Sequence, residues 1–576
     1  MKNATSGISA ERVDDIPLIL ACLEELKVAA HLDEALPRPH GDRQGLSYGQ
    51  LSVVLLTFML TEQEHRLCAV EQWLEEHQQI FELSTGWQIG YKDATDDRLG
   101  ALVELIGEQK ESREQVEIEL GQRMIQAYEL PTEVARCDTS SFSVYHSKSE
   151  EEAQTSILRF GYSKDHRPDL RQYRELLGTL DPGGIPLISD TLPGNGADDP
   201  VYVPAWERIA QVIGHKDFVF VADVKAGSQQ TRAQIDHGGG IYCIPLPRQS
   251  QVNEQLKHWI LQPAAAIEPL YLPGQELSET PVGSGFEMEL GQHWYDPQTQ
   301  EIHTWMERRL VIYSNAQGQK QKASFQRRLD NAQTQLNKLA AKTAQDHCQL
   351  KTRAEAILKD YRVSEFFTTT IETETRKRYK GRGRPNPNDA SSQIVETRFR
   401  LKVDLNCSAI EEAKQLLGWR IYATNASIER LSRAQAMAYY RGQWRLERGY
   451  HRLKAGSIPA LPIFLRNEQR IEGLMFLLSL ALRILTLVEF RVRRQLQLQN
   501  QSLDGLYPGN PKRKTCRPST ELLLQAFHGI NLYRLPDGSF HFTPLNPLQH
   551  KILALLHLPD TLYQIPKDWA LPPPAA

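Results

Sequence analysis

The longest apolar run in the chain, LMFLLSLALRILTLVEF from Leu474 to Phe490, has to be enclosed on almost every side. Arg483 interrupts it, and it falls short of the roughly 20 apolar residues that cross a bilayer. The run therefore predicts a buried helix around which the rest of the chain packs. The remainder can supply that enclosure. With 576 residues, 40% hydrophobic and 24% charged, the chain has ordinary globular composition and length for several domains. Cys22, Cys68, Cys137, Cys243, Cys348, Cys407 and Cys516 form no CxxC pair, which argues against a disulfide scaffold or structural zinc and fits a reducing cytoplasm. The opening MKNATSGISAERVDD has no basic start followed by an apolar run, so no secretory signal is expected. The net charge of −4 counts mildly against a nucleic-acid binder and turns attention to local patches.

Periodicity divides the chain. Residues 1–128 read as helical, with apolar residues at steps of three and four. Two consecutive helices near Ser47–Leu60 and Glu64–Gln79 fit a helix-turn-helix or simple packing, and the acidity of the second favours packing. Residues 129–250 switch to β-rich segments: EVARCDTSSFSVYH, TSILRFGYS, GGIPLISDTLP, then, after a helix, DFVFVADV and GIYCIPLP. This predicts a mixed α/β layer. Residues 251–415 break the alternation: strands flank an Asp296-Pro297 turn, an antiparallel helical hairpin follows through Phe325–Leu339 and Leu350–Tyr361, and two further β segments flank a turn-rich basic stretch. Residues 416–500 return to a strand, GWRIYATN, and two long helices, Arg433–Ala455 and Gln469–Leu496. Residues 501–576 form a Pro-rich loop and a helical end.

Three carboxylates are candidates for chemistry. Asp138 lies in the first β segment and Asp223 ends the apolar strand Phe218–Ala222. Each alone is better read as a turn or helix cap, the commoner case, with a metal ligand at a sheet's carboxyl edge as the alternative. In YRGQWRLERGYHRLKAG, Tyr440, Gln443, Glu447 and Lys454 step by 3, 4 and 7 and share one face of a continuous helix, as a solvated charged face also would. Two Asp from strand ends and a Glu from a helix can converge on a pair of oxygen-seeking ions about 3.5–4 Å apart, an arrangement suited to phosphoryl transfer. The chain has no GxxxxGK[ST] loop and no GxSxG elbow.

These segments resemble those of bacterial cut-and-paste insertion-sequence transposases of the DDE class. The likeness rests on CDTSSF with Asp138, GYSKDHRPDLRQ (Gly161–Gln172), IPLISDTLPGN, FVFVADVKAGS with Asp223, YRGQWRLERGYHRLK with Tyr440, Glu447 and Lys454, and STELLLQAFHGI. It spans roughly 130 to 560. It implies an RNase H-like catalytic core interrupted by a β and helical-hairpin insertion before the catalytic Glu. It further implies Asp138, Asp223 and Glu447 as catalytic metal ligands for two Mg²⁺ ions, with Mn²⁺ able to substitute. One position departs from the pattern: Gln443 stands where the signature has Arg. The implied reaction is hydrolysis at the element's terminal repeats, then attack of the freed 3′ hydroxyl on target DNA, by a homodimer acting on double-stranded DNA in the cytoplasm. A nuclease of the same core without strand transfer, and a non-catalytic DNA-binding protein, are the alternatives. Trp294 and Trp305 are candidates for stacking on an extruded base. Asp190 and Asp199 are the substitutes should one of the acidic three fail.

The DNA-binding surface is read from local charge. Tyr440, Gln443 and Lys454 are the candidates beside the scissile strand. Arg376, Lys377, Arg378, Lys380, Arg382 and Arg384 make a basic cluster whose Arg382-Gly383-Arg384-Pro385 has the form of a minor-groove arm, or else of an exposed hairpin tip. Lys512, Arg513, Lys514 and Arg517 make a second patch that suits a solvated linker and a phosphate contact equally.

Overall fold

A computed structural model describes residues 8–566 apart from 40, 42–43, 147–155, 277, 298 and 380–392. Its largest sheet contains β1 (Val134–Val144), β2 (Arg171–Leu180), β3 (Ile185–Pro193), β4 (Val219–Ala222), β5 (Ile241–Pro245), β6 (Glu268–Leu270), β7 (Gly283–Tyr295), β8 (Ile302–Ser314) and β9 (Trp419–Thr424). They lie in the order β3-β2-β1-β4-β5-β9-β8-β7-β6. Strands β1, β2 and β3 form an antiparallel meander, whereas β1, β4 and β5 run parallel. Order 3-2-1-4-5 with that mix of directions agrees with the RNase H-like α/β core that the sequence implies. Strand β4 is buried along its whole length, which is why it reads as a continuous apolar run instead of alternating. The Tyr202–Ile213 helix leads into β4. It buries Tyr202, Trp206, Ile209 and Ile213 at helical spacing and ends on Gly214, whose φ of +85° closes the last turn in the left-handed conformation.

The inserted strands extend this sheet. Hairpin β7–β8 turns at Asp296-Pro297, as the sequence predicts, and β8 pairs with β9, which pairs with β5. The helical hairpin is Asn315–Ala340 and His347–Asp360. With the strand pair Phe367–Tyr379 and Gln393–Leu405 it forms its own small core around Phe325, Leu336, Leu350, Leu358 and Leu401.

The apolar run lies inside the Glu468–Leu498 helix, and 94% of its most apolar window is buried in protein. Arg483 is 1% exposed and donates from Nη2 to the Leu187 carbonyl at 2.7 Å, so the interrupting charge sits under β3. Against this helix packs Asp96–Glu108. A Cβ on Gly107 would fall 1.8 Å from the Gln469 carbonyl oxygen, and one on Gly473 1.9 Å from that of Val103, so the backbones touch. One continuous hydrophobic cluster runs from Val13 to Tyr563. The Tyr48–Glu62 helix, capped reciprocally by Ser47 and Gln50, is buried from Leu51 to Thr61. It packs; it presents no face to a DNA groove.

Three expectations need correction. Among its described residues, the segment TSILRFGYS makes only an isolated bridge, Arg159 to Gln172, and the second strand of the core is RQYRELLGTL. The helix expected over Arg433–Ala455 is two, Arg433–Arg441 and Trp444–Ala455, broken at Gly442. The C-terminal end is not purely helical: Asn531–Arg534 pairs with Phe540–Phe542 and with Ser9–Arg12 near the chain's start.

Candidate active site

The parallel register of β1 and β4 runs from Val134 opposite Val219 to Cys137 opposite Ala222. The ladder ends there, Asp138 and Asp223 each follow its last pair, and the charge of Asp223 acts on the Asp138 carboxyl. Both carboxylates thus stand at the carboxyl end of the parallel pair, on the face shared with Val134, Val219 and Val221. Those valines pack with Leu431, Ala436, Met437 and Tyr440. The two Asp therefore point to the side of the sheet that the helices on either side of Gly442 cover.

Local bonds fix each carboxylate. Asp223 Oδ1 accepts from the Lys225 amide at 2.8 Å, capping the turn Val224–Gly227, and from the Tyr202 hydroxyl at 2.7 Å. Asp138 Oδ1 accepts from the Thr139 amide at 2.7 Å and lies 3.6 Å from Lys164 Nζ. Burial pushes the Asp138 carboxyl up to about 6; the charges of Asp223 and Asp198 act in the same direction and Lys164 opposes them. Asp198, 5% exposed, accepts from the Thr139 hydroxyl at 2.9 Å and from Lys225 Nζ at 3.1 Å, and pairs with Arg174. Burial would raise it, but Thr139 and the two lysines hold it below the usual range. The sequence offers no signal for Asp198, which reads there as a loop residue beside Asp199. Asp190 is engaged by Arg208 at 3.3 Å on the far side of β3.

The Trp444–Ala455 helix is pinned across this edge by Tyr450. Its phenolic oxygen accepts from the Leu177 amide at 3.1 Å and lies 2.6 Å from the Asp138 carbonyl and 3.0 Å from that of Glu175. Glu447, one turn earlier and exposed, lines a recess of about 350 Å³ with Tyr440, Gln443 and Arg420. Burial raises the Tyr440 phenol, and the charges of both Asp223 and Glu447 add to it, so Tyr440 stands within the field of both. The phenol takes a hydrogen bond from Arg420 on β9, whose guanidinium lies 5.0 Å from its ring centre. Arg420 thus brings a cation into the recess that Gln443 shares, and the alternation Arg420, Tyr422, Thr424 was its only sequence signal. Lys454 lies apart from this group. It pairs with Asp165 at 2.8 Å and caps the Phe142 ring, which joins the Gly161–Gln172 segment to the helix.

The other candidates are dispersed. Arg376, Lys377 and Arg378 lie on the outer end of the Phe367–Tyr379 strand, opposite Glu396, Val395 and Ile394. Lys380, Arg382 and Arg384 fall outside the described residues. Trp305 is a core residue: 7% exposed, it donates to the Tyr242 hydroxyl at 2.9 Å and stacks on His303.

The donor set suits a hard divalent cation. It is all carboxylate oxygen, and the Asp138 carboxyl, raised first by burial and further by the charges of Asp223 and Asp198, is in surroundings that a cation would favour. The ligand atoms of Asp138, Asp223 and Glu447 do not all come within 4.8 Å of one another; among the described residues that spacing is met by His31, Glu34 and Glu119 in the N-terminal helices. A pair of ions about 3.5–4 Å apart bridges a wider gap than a single one.

The family model for the transposase DDE domain matches residues 132–484, more than half of the chain. Among solved structures, a piggyBac transposase synaptic complex with hairpin DNA, seen by electron cryo-microscopy, is similar over 90% of this chain and 81% of that one, at 7% identity and a TM-score of 0.35. No curated protein matches. The matched span begins just before β1, takes in Asp138, Asp223 and Glu447, and ends within the central helix, and the chain belongs to the transposase DDE domain family.

Proposed function

We propose that this chain is a bacterial insertion-sequence transposase that cuts DNA at the ends of its element and joins the freed 3′ ends to a target. The observation that carries the reading is the adjacency of Asp138 and Asp223 at the ends of parallel strands, on the face covered by the helix bearing Glu447. These three carboxylates would hold two Mg²⁺ ions, or Mn²⁺ in their place, which supply an activated water and charge neutralisation at the scissile phosphate. The chain's own groups do the positioning. Tyr440, Gln443 and Arg420 line the recess beside Glu447 and offer a phenol, an amide and a guanidinium to phosphate oxygens. Lys164 and Lys225 stand near the aspartates and balance their charge before substrate arrives. Lys454 and the basic cluster of Arg376, Lys377, Arg378, Lys380, Arg382 and Arg384 would hold the DNA on either side, in a homodimer with one site per end, acting in the cytoplasm.

The test is cleavage of a labelled duplex carrying the element's own end, with Mg²⁺ or Mn²⁺, by the wild-type chain and by Asp223→Asn. Metal-dependent cutting by the first and not the second supports the reading. Binding by both with cutting by neither leaves a non-catalytic DNA-binding protein. Joined products separate a transposase from a nuclease, which would release ends and never join them.

A further inference from the structure

The helix that turns Glu447 toward one recess has a second face of different character. There Arg445, Arg448 and Arg452 meet Arg493 and Arg494 of the central helix and Arg517 of the loop beyond it, around a cleft of about 600 Å³. The single carboxylate among its described lining residues is Glu489, which is shared by Arg448 at 2.5 Å, Arg452 at 2.7 Å and Arg493 at 2.7 Å. Further acids stand behind the wall: Asp181 is 3.4 Å from Arg445, Glu129 is 3.6 Å from Arg494, and Glu521 is 2.8 Å from Arg452. The cations remain in excess at the surface. Burial lowers Arg493, and Arg448, Arg452 and Arg517 push it further the same way; Arg445 is lowered by burial, Arg136 and Arg517. The loop leading to Arg517 adds Lys512, Arg513 and Lys514, all exposed.

Trp444 connects this cleft to the chemistry. It is 51% exposed and lines both the arginine cleft and the Glu447 recess, so it forms the ridge between them, with Arg445 held 5.3 Å from its ring centre. Guanidiniums in fork geometry suit phosphate oxygens, and an exposed indole is a platform for a base of any identity.

We propose that the arginine cleft holds the phosphodiester backbone of the DNA strand that continues away from the scissile phosphate, with a base stacked on Trp444 where the strand crosses the ridge. The proposal rests on the reading of the chain as a transposase, which is what puts a scissile phosphate beside Glu447.

Cys516 lines the cleft and is exposed, while Cys68, Cys348 and Cys407 are exposed elsewhere. The full chain would be labelled with N-ethylmaleimide in EDTA, alone, with a mixed-sequence duplex bearing a single-stranded extension, and with inorganic phosphate at equal phosphate concentration. Expected is loss of Cys516 labelling with DNA alone, at unchanged Cys68, Cys348 and Cys407. In parallel, Arg494→Gln with Arg517→Gln should reduce the slope of log Kd against log salt by about one to two. Trp444→Ala should weaken binding of the extended duplex and spare the blunt one. DNA that binds while Cys516 labels at its free rate overturns this proposal and leaves the transposase reading standing. Protection by phosphate alone overturns it in favour of a small-anion site. Failure to bind any DNA sinks both.

Discussion

The phenolic oxygen of Tyr450 lies 2.6 Å from the backbone carbonyl of Asp138, so the helix that carries Glu447 is fastened to the strand that carries the first aspartate. The same oxygen takes the Leu177 amide from the neighbouring strand. Tyr450→Phe leaves the ring's packing in place and strips two strands of a buried partner. A loss of about 1–3 kcal/mol in folding stability is expected. Metal-dependent cleavage should fall by more than the unfolded fraction explains, because the Glu447 helix loses its anchor. Thermal unfolding and single-turnover cleavage on the same preparation check both parts. Unchanged cleavage at a lowered melting point would confine Tyr450 to stability.

Asp138→Ala, Asp223→Ala and Glu447→Ala should each abolish cleavage while DNA binding persists. Each removes a carboxylate without touching the basic surfaces. Gel-shift and cleavage assays on the same labelled duplex decide it, and a variant that still cuts takes its residue out of the site. Asp198→Asn is the informative neighbour. Its carboxylate is tied to Thr139, Arg174 and Lys225, so a reduced rate with intact metal dependence is expected.

Lys164 Nζ stands 3.6 Å from Asp138 Oδ1 and offsets part of the rise that burial imposes on that carboxyl, leaving it at about 6. A raised carboxyl is protonated below that value, and only the carboxylate binds a cation. Mg²⁺ affinity should therefore weaken as pH falls through about 6. Lys164→Met keeps the aliphatic stem and removes the charge, so the midpoint should move upward by about one pH unit. Titration of Mg²⁺ binding against pH in the two proteins measures it, and coincident curves would exclude the lysine from tuning the site.

What the sequence disclosed here was local and periodic. Phe218–Ala222 reads as a buried strand because five apolar residues end on a single acid, and the central helix is visible because its apolar run is long. RQYRELLGTL was missed for a physical reason. It is a central strand buried on both faces, so Tyr173, Leu176, Leu177 and Leu180 do not alternate with polar residues, while Gln172, Arg174 and Glu175 are buried polar groups satisfied only by tertiary partners. Glu175, for instance, bonds the Thr191 hydroxyl across the meander. Helical spacing placed Tyr440, Gln443 and Glu447 on one face, and the recess keeps them together despite the break at Gly442, whose backbone torsions stay near helical. No spacing rule could supply Arg420 or Asp198, because each reaches the site from another element.

Glu521 braces the second face of the Glu447 helix through Arg452. Its carboxylate takes Arg452 Nε at 2.8 Å and the Ser457 hydroxyl at 3.1 Å. Burial would raise it, but the Arg452 hydrogen bond and charge prevail and bring it down to about 2, from 4.5 for a free side chain. A carboxyl lowered by folding contributes stability that is fully present above its unfolded value and is lost as pH falls through the folded one. The loss should therefore run between about pH 4.5 and 2. Its size at neutral pH is on the order of 2–3 kcal/mol, at the lower end because the side chain is 31% exposed. Glu521→Gln should lower stability at pH 7 by that amount and abolish the difference from wild type below about pH 2. Arg452 would then lean on Glu489 alone, in competition with Arg448 and Arg493, so the variant should also bind DNA in the arginine cleft more tightly. Denaturant unfolding across the pH range and the salt dependence of DNA affinity test the two halves separately. Equal stability of the two proteins at neutral pH would show that the Arg452–Glu521 pair does no more than replace its own hydration.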